Sequence, residues 1–210
     1  MVIGKKVKLR DKRVEDAKDD YVWRTDLDLA RLDAVPWLTL TFPQYLSVYI
    51  SELHQASSIK RQFAIDTLDG KHIGNCLYYD IDETKGEAEL GIMVGNHDYQ
   101  DKGYGTDAVN TLLSHIFRQT DLKRIYLKTL ELNMRAQRCF QKCGFIPCGR
   151  LVRDGYNFVL MEIHRKQWER QPQPLEARAS LRIKAGCSSL TSGVESNGGP
   201  SQGNENYSSV

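Results

Sequence analysis

The chain has 210 residues, with 29 Lys and Arg against 27 Asp and Glu, five Cys and a hydrophobic share of 40%. That length suits one domain, or one domain with a tail, and a net charge of +2 is too small for a nucleic-acid binder, which shows a strong basic excess or a concentrated stripe. The apolar share lies below the ~45–50% of ordinary domains, which points to a polar segment diluting a normal core.

In chain order, residues 2–10 (Val2, Ile3, Val7, Leu9) read as a first strand. The charged segment 13–32 forms one or two short helices before Pro36. Phe42-Pro43 opens a helix to about His54, with Tyr45, Leu46, Val48, Tyr49 and Leu53 on a broad apolar face. Strands at about 59–66 and 72–80 are joined across Asp69-Gly70, a strong hairpin signal. Glu87 to Val94 alternates: Ala88, Leu90, Ile92 and Val94 take one face, and Glu87, Glu89, Gly91 and Met93 the other.

A loop, Gly95 to Lys102, leads to a helix from about Gly103 to Gln119, striped by Ala108, Val109, Leu112, Leu113, Ile116 and Phe117. Residues 123–130 make a strand. Asn133 caps a helix whose positions 136, 139, 140 and 143 share one face, and Gly144 ends it. Strands at 145–152 and 156–163 follow. This order predicts a mixed α/β domain around one twisted sheet, over residues 1–170.

The diluting segment lies at the end. Residues 186–210 hold seven Ser, five Gly and three Asn, too few apolar groups to offset the entropy of ordering them. Gln171-Pro172-Gln173-Pro174 has linker composition, so residues 171–210 are expected to be a polar, disordered tail. No run approaches the ~18 apolar residues of a membrane span, and Met1 to Lys6 leads into mixed charge instead of a signal core. The expected location is cytoplasmic, with no membrane or direct nucleic-acid partner. Cys76, Cys139, Cys143, Cys148 and Cys187 contain no CxxC, and the His residues show no HExxH or i,i+4 pair. Neither a disulfide framework nor a metal site is implied.

The most informative stretch is Tyr99-Gln100-Asp101-Lys102-Gly103-Tyr104-Gly105-Thr106. Two glycines present bare N–H groups, and the helix start adds about half a positive charge. Together they form an anion cradle suited to a diphosphate. The spacing matches neither GxxxxGK[ST] nor the setting of a dinucleotide fingerprint, which follows the first strand of a parallel sheet. Taken alone, GxG is equally a plain loop and cap.

The run from Glu89 to Phe145 resembles the GNAT superfamily of acyl-CoA-dependent N-acyltransferases. The residues that carry this are Gln100-x-x-Gly103-x-Gly105 and a second block, Asn133-x-x-Ala136 through Phe140-x-Lys142-x-Gly144-Phe145. "LRDKRVEDA", "GYGTDAVNTLLSHIF" and the Met161-to-Trp168 pattern resemble the RimJ/RimL-like branch. The resemblance implies a mostly antiparallel sheet of about 6–7 strands flanked by helices, with acetyl-CoA as co-substrate where two central strands splay. The backbone at Met93 and Val94 pairs with the pantetheine arm. Gln100, Asp101, Lys102, Gly103, Tyr104, Gly105 and Thr106 contact the diphosphate, mainly through N–H groups, with Gln100 bracing the loop. Asn133 and Phe140 also meet the cofactor, and Asn133 is a candidate catalytic residue, reaching the cofactor or a catalytic water. Asn133 has an equal claim to be only the helix cap.

The implied reaction is direct attack of an amine on the thioester, helped by proximity, an oxyanion-binding N–H near Val94 and a base. Glu89 is the candidate base, with a solvated strand carboxylate as its alternative, which is the expectation for Glu87. Many relatives carry a Tyr acid at the position of Phe140, and Phe donates no proton. A free thiol has a pKa of ~8.5 and leaves readily as thiolate. Tyr156 is a substitute acid or, more simply, a strand aromatic. Cys139 and Cys143 read as core residues instead of acyl carriers, and His97 as solvated. Trp23, Trp37, Tyr45 and Tyr49 read as core, some of them lining the acceptor cleft.

The first acceptor expected is a protein N-terminus, as on a ribosomal protein. An α-amino group has a pKa of ~8 against ~10.4 for a Lys-type amine, so a weak base suffices. The alternatives are a small amine, such as a polyamine or aminoglycoside, or a non-catalytic CoA-binding module, which the absent Tyr at 140 favours. A polyamine needs an acidic cleft, for which Asp26, Asp28, Asp33, Glu87 and Glu89 are the candidates. Monomer and homodimer are equally compatible with the sequence.

Overall fold

The computed structural model describes residues 1–35, 38–55 and 57–171. Trp37 and the expected tail from residue 172, Cys187 included, lie outside the described residues. Met1–Arg170 packs as one unit.

The expected first strand is two strands, β1 (Val2–Ile3) and β2 (Val7–Asp11), paired antiparallel. Gly4-Lys5-Lys6 makes the turn, and the Asp107 carboxylate accepts the amides of Lys5, Lys6 and Val7 at 2.7–3.1 Å. Gly4 is required there: a Cβ would lie 2.3 Å from Thr111 Oγ1. Alternation along the chain continues through such a turn, which is why residues 2–10 look like one strand.

After a 3-10 turn at Val14–Asp16 come α1 (Ala17–Thr25), α2 (Leu27–Asp33) and α3 (Phe42–His54). Then follow β3 (Lys60–Thr67), β4 (His72–Asp82), β5 (Glu87–Val94), α4 (Tyr104–Gln119), β6 (Arg124–Leu130) and α5 (Met134–Lys142). The chain continues with β7 (Ile146–Arg153), β8 (Tyr156–His164) and a short α6 (Arg165–Arg170) that the sequence reading did not separate. The eight strands run in the order β1-β2-β3-β4-β5-β6-β8-β7, one more than the 6–7 expected because of the split first strand.

Every pair is antiparallel except β5 with β6. That parallel pairing covers only Glu87–Glu89 against Arg124–Tyr126. Beyond it both strands continue unpaired with each other, β5 to Val94 and β6 to Leu130. The sheet is therefore split between its two central strands.

The stripe on α4 supplies the core. Ala108, Val109, Leu112, Leu113 and Ile116 are fully buried with Val7, Leu9, Ile65, Ile73, Ile125 and Leu127. Each of the larger aliphatics contributes roughly 1.5–3 kcal/mol by leaving water. Ala88 and Leu90 of β5 join this core. The other face of β5 carries Glu89, Gly91 and Met93 into a cavity bounded by residues of α1, α2 and α3. The β5 alternation thus separates Glu89, Gly91 and Met93 from Ala88 and Leu90, although toward the split Leu90, Ile92 and Val94 reach the cavities too.

Candidate active site

The loop after β5 is built to hold α4 open at its N-terminus. Asp101 and Gly103 both take left-handed backbone, φ 57° and 83°, and only Gly adopts the latter without strain. Gly103 is the N-cap, and its carbonyl accepts the Asp107 amide. The amides of Tyr104, Gly105 and Thr106 open the helix with no preceding turn to bond, so they carry the positive end of the dipole.

Three clamps fix the loop. Gln100 Nε2 donates to the Val94 carbonyl at 2.9 Å, tying the loop to the end of β5. Arg135 of α5 donates to Gln100 Oε1 at 2.5 Å. Lys6, in the β1–β2 turn, donates to the Lys102 carbonyl at 2.8 Å and lies over the Tyr104 ring. The Lys102 side chain is turned back onto Asp98 O, and Tyr104 packs edge-on against Tyr99.

This loop, α5 and the end of β5 enclose a cavity of about 350 Å³. Gln100, Asp101, Gly103, Gly105 and Thr106 line it, and so do Arg135, Arg138 and Lys142. These three cations are at i, i+3 and i+7 of α5, one helical face. Their spacing is legible in the sequence, but it acquires a meaning only where α5 lies beside the loop. A diphosphate fits: bare N–H groups at one side and three cations at the other.

Cys143 is buried, as expected of a core residue, but Cys139 is only half buried and lines the cavity. A hydrogen bond from Cys143, against the effect of burial, holds the Cys139 thiol below its ordinary range, aided by Thr106, Lys142 and Arg135. The cysteine face of α5 was read as wholly packed. Here the α4 N-terminus stops short of covering it.

A second, larger cavity of about 1560 Å³ occupies the split in the sheet and the space under α1–α3. The two cavities share Leu32, Asp33, Met93, Asn133 and Phe140, so one opens into the other where β5 and β6 part. Asn133 Oδ1 accepts the Ala136 amide at 3.1 Å, so Asn133 caps α5, and it lines both cavities. Phe140 is buried edge-on against Phe145. The Met93 carbonyl faces β4, where an ideal Cβ on Gly74 would lie 2.2 Å from it.

Glu89 lies in this larger cavity and is not a solvated carboxylate: it is 3% exposed. Tyr79 stands opposite it in the antiparallel register and donates its hydroxyl to Oε1 at 2.6 Å. Burial, with the Glu89 hydrogen bond and charge, holds the Tyr79 phenol protonated far above its ordinary range. Lys128 Nζ is 2.8 Å from Oε2, off hydrogen-bond angle, so Oε2 is buried without a donor among the described residues. Glu87, by contrast, pairs with Arg124, which also holds Glu162. Tyr156 is 42% exposed and lines the cavity from the β7–β8 hairpin, packed on Phe158.

Other walls are set by charge. Lys12 and Asp20 pair with side chains 4% and 5% exposed, and Asn75 donates to Asp20 at 2.6 Å while accepting from Lys12. Asp11, Asp33 and Glu52 line the same cavity with no ion-pair partner among the described residues. Of the acidic candidates, Asp26 instead caps α2 and pairs with His97 at 2.9 Å, so His97 is a loop tether. Trp23 and Tyr49 are buried, and Tyr45 and Tyr49 line the cavity. Among the described residues no cluster of three metal-ligating groups occurs, and no helix is long and apolar enough to cross a membrane.

Comparison with known proteins places the chain in a family and a fold. A family model described as acetyltransferase (GNAT) domain matches residues 6–146. The chain is 31% identical over 100 residues to the spermine/spermidine N(1)-acetyltransferase of Bacillus subtilis, covering 45% of this chain and 66% of that protein, just under two thirds of its length. In fold it is similar to spermidine N-acetyltransferase from Vibrio cholerae, solved with CoA and spermine (TM-score 0.70, 20% identity, 78% of this chain and 98% of that one). It is likewise similar to an aminoglycoside acetyltransferase solved with coenzyme A (TM-score 0.66, 23% identity, 79% and 98%). At those identities the likeness is one of fold.

Proposed function

Because the chain belongs to the GNAT acetyltransferase family, we propose that it is an enzyme that transfers acetyl from acetyl-CoA to a small, cationic primary amine by direct attack. The observation that carries this reading is the junction of the two cavities at Met93, Asn133 and Phe140. On one side is a helix N-terminus with three cations; on the other is a buried carboxylate whose Oε2 meets only the Lys128 ammonium, at 2.8 Å, among the described residues.

The residues divide the work. The amides opening α4, with Arg135, Arg138 and Lys142, hold the diphosphate. The edge of β5 that β6 leaves uncovered near Val94 guides the pantetheine arm toward the split, while Met93, whose carbonyl faces β4, lines the cavity there. Glu89 receives the acceptor ammonium at Oε2, takes its proton and is oriented by Tyr79, which locks Oε1. Binding both reactants in one enclosed space supplies proximity. With Phe140 at the usual acid position, the leaving group departs as thiolate, to be protonated by water or by Tyr156.

A small amine is preferred over the protein N-terminus expected first. Asp11, Asp33 and Glu52 supply carboxylates that a polycation uses and an α-amino group does not. Among the relatives whose names state an acceptor, those from Bacillus subtilis and Vibrio cholerae at 31% and 25% identity name spermine or spermidine, and one at 23% is named a putative ribosomal N-acetyltransferase. The test is release of free CoA thiol from acetyl-CoA with polyamines, aminoglycosides and peptides, for wild type and Glu89→Gln. Turnover with spermidine or spermine, lost in the variant, is expected. Tight acetyl-CoA binding without turnover on any acceptor would sink the enzyme reading, and turnover on peptides alone would return the acceptor to a protein N-terminus.

A further inference from the structure

The larger cavity already contains a primary amine that belongs to the chain. Lys128 is on β6 two residues past Tyr126, the last residue of β6 that pairs with β5. Side chains alternate along a strand, so Lys128 shares the face of Tyr126, and the parallel register puts Glu89 of β5 beside that residue. Its Nζ therefore reaches Glu89 Oε2, at 2.8 Å. The side chain is 29% exposed, and that exposure is to the cavity it lines.

Among the described residues the Glu89 carboxylate is the one ion-pair partner of Nζ, and Oε2 has no other donor. Lys12 is different. It lines the same cavity, but Asp20 and Asn75 both bind it, under the Tyr49 ring. Of the three lysines that line the cavity, Lys12, Lys60 and Lys128, only Lys128 stands at the proposed base.

We propose that Lys128 is an intramolecular acceptor, acetylated by the chain's own acetyl-CoA when no external amine fills the site. This rests on the acetyltransferase reading given above. Glu89 Oε2 takes a proton from Nζ. The Nζ lone pair attacks the thioester carbonyl carbon, the N–C bond forms, and the C–S bond breaks. The electron pair leaves with sulfur, the second Nζ proton passes to that thiolate to give free CoA thiol, Lys128 becomes a neutral acetamide, and Glu89 releases the first proton to water. No oxidant or further reactant is needed. The product no longer pairs with Glu89, and the cavity gains one unit of negative charge toward an incoming polycation.

The test uses the full chain with isotopically labelled acetyl-CoA and no amine, followed by intact-mass measurement and peptide mapping. One acetyl group per chain is expected, at Lys128, with a rate independent of protein concentration. Spermidine, which competes for Glu89, suppresses it. Glu89→Gln, which keeps the Tyr79 hydrogen bond, slows it by ~10²-fold or more. Lys128→Arg takes no label.

Label spread over surface lysines at the rate of the unfolded chain overturns the proposal, as does a rate that rises with protein concentration. Thiol release with spermidine, run in parallel, separates the two readings. Turnover with an unlabelled Lys128 overturns only this proposal; neither turnover nor label overturns both.

Discussion

Gly105→Ala is expected to raise the thermal midpoint and weaken acetyl-CoA binding together. Gly105 is the second residue of α4, and a Cβ there meets only Val94 Cγ2 at 3.6 Å and Cys139 Sγ at 3.7 Å, ordinary contacts. Nothing in the fold demands glycine at this position. Removing Gly from a helix gains about 0.5–1 kcal/mol, or about 1–4 °C for a domain of this size. A helical Cβ tilts toward the N-terminus, which here is the cavity lined by Gly103 and Thr106. The methyl group pushes the diphosphate off one charge-assisted hydrogen bond, a loss of about 1.5–3 kcal/mol, or a ~10–150-fold higher Kd. Thermal shift with and without acetyl-CoA, backed by titration calorimetry, reads both signs, since ligand stabilisation follows RT ln(1 + [L]/Kd). An unchanged Kd in a stabilised variant would refute the cradle. Gly103→Ala gives the contrast: at φ 83° it loses about 1–2 kcal/mol of stability.

Breaking the buried Lys12–Asp20 pair by Asp20→Ala is expected to cost about 3–5 kcal/mol, because Lys12 is left charged and unpaired; urea midpoints check this, and Lys12→Met added to it should recover a large part. Burial raises the Asp16 carboxyl, but hydrogen bonds from Arg10 and the Arg13 amide, with His72, outweigh it and hold Asp16 below its ordinary value. Its stabilisation is therefore complete above the unfolded value of about 4 and is lost as pH falls through the folded one; Asp16→Asn should flatten that acid limb in urea midpoints taken from neutral pH downward. Cys139, with its lowered pKa, should be alkylated by iodoacetamide at neutral pH faster than buried Cys76, and acetyl-CoA should protect it. Equal rates for the two thiols, or no protection, would contradict its place in the cradle wall.

Local chemistry made much of this protein readable in advance. Positive-φ Gly103, the Asn133 cap and the α4 stripe each depend on neighbours within a few residues, so the sequence carries them directly. The β5 alternation likewise assigned Glu89 to the face opposite Ala88 and Leu90. It did not reveal burial of Glu89, because that comes from Tyr79 and from Lys128, a residue of another strand. The Arg135, Arg138 and Lys142 face was visible as spacing but had no meaning until α5 lay beside the loop. The turn at Gly4 was invisible, since its reason, the Asp107 carboxylate, lies about a hundred residues away.

The sequence by itself determined most of the order of elements, the glycine-opened loop before α4 and the family. Those are set by periodicity and by backbone rules that act over one or two turns of chain. Only the tertiary structure decided where β5 and β6 part, which cations face the loop, and that Glu89 shares its cavity with Lys128. Those depend on register between strands and on packing between helices, and a charge or a spacing along one chain cannot encode which distant partner it will meet.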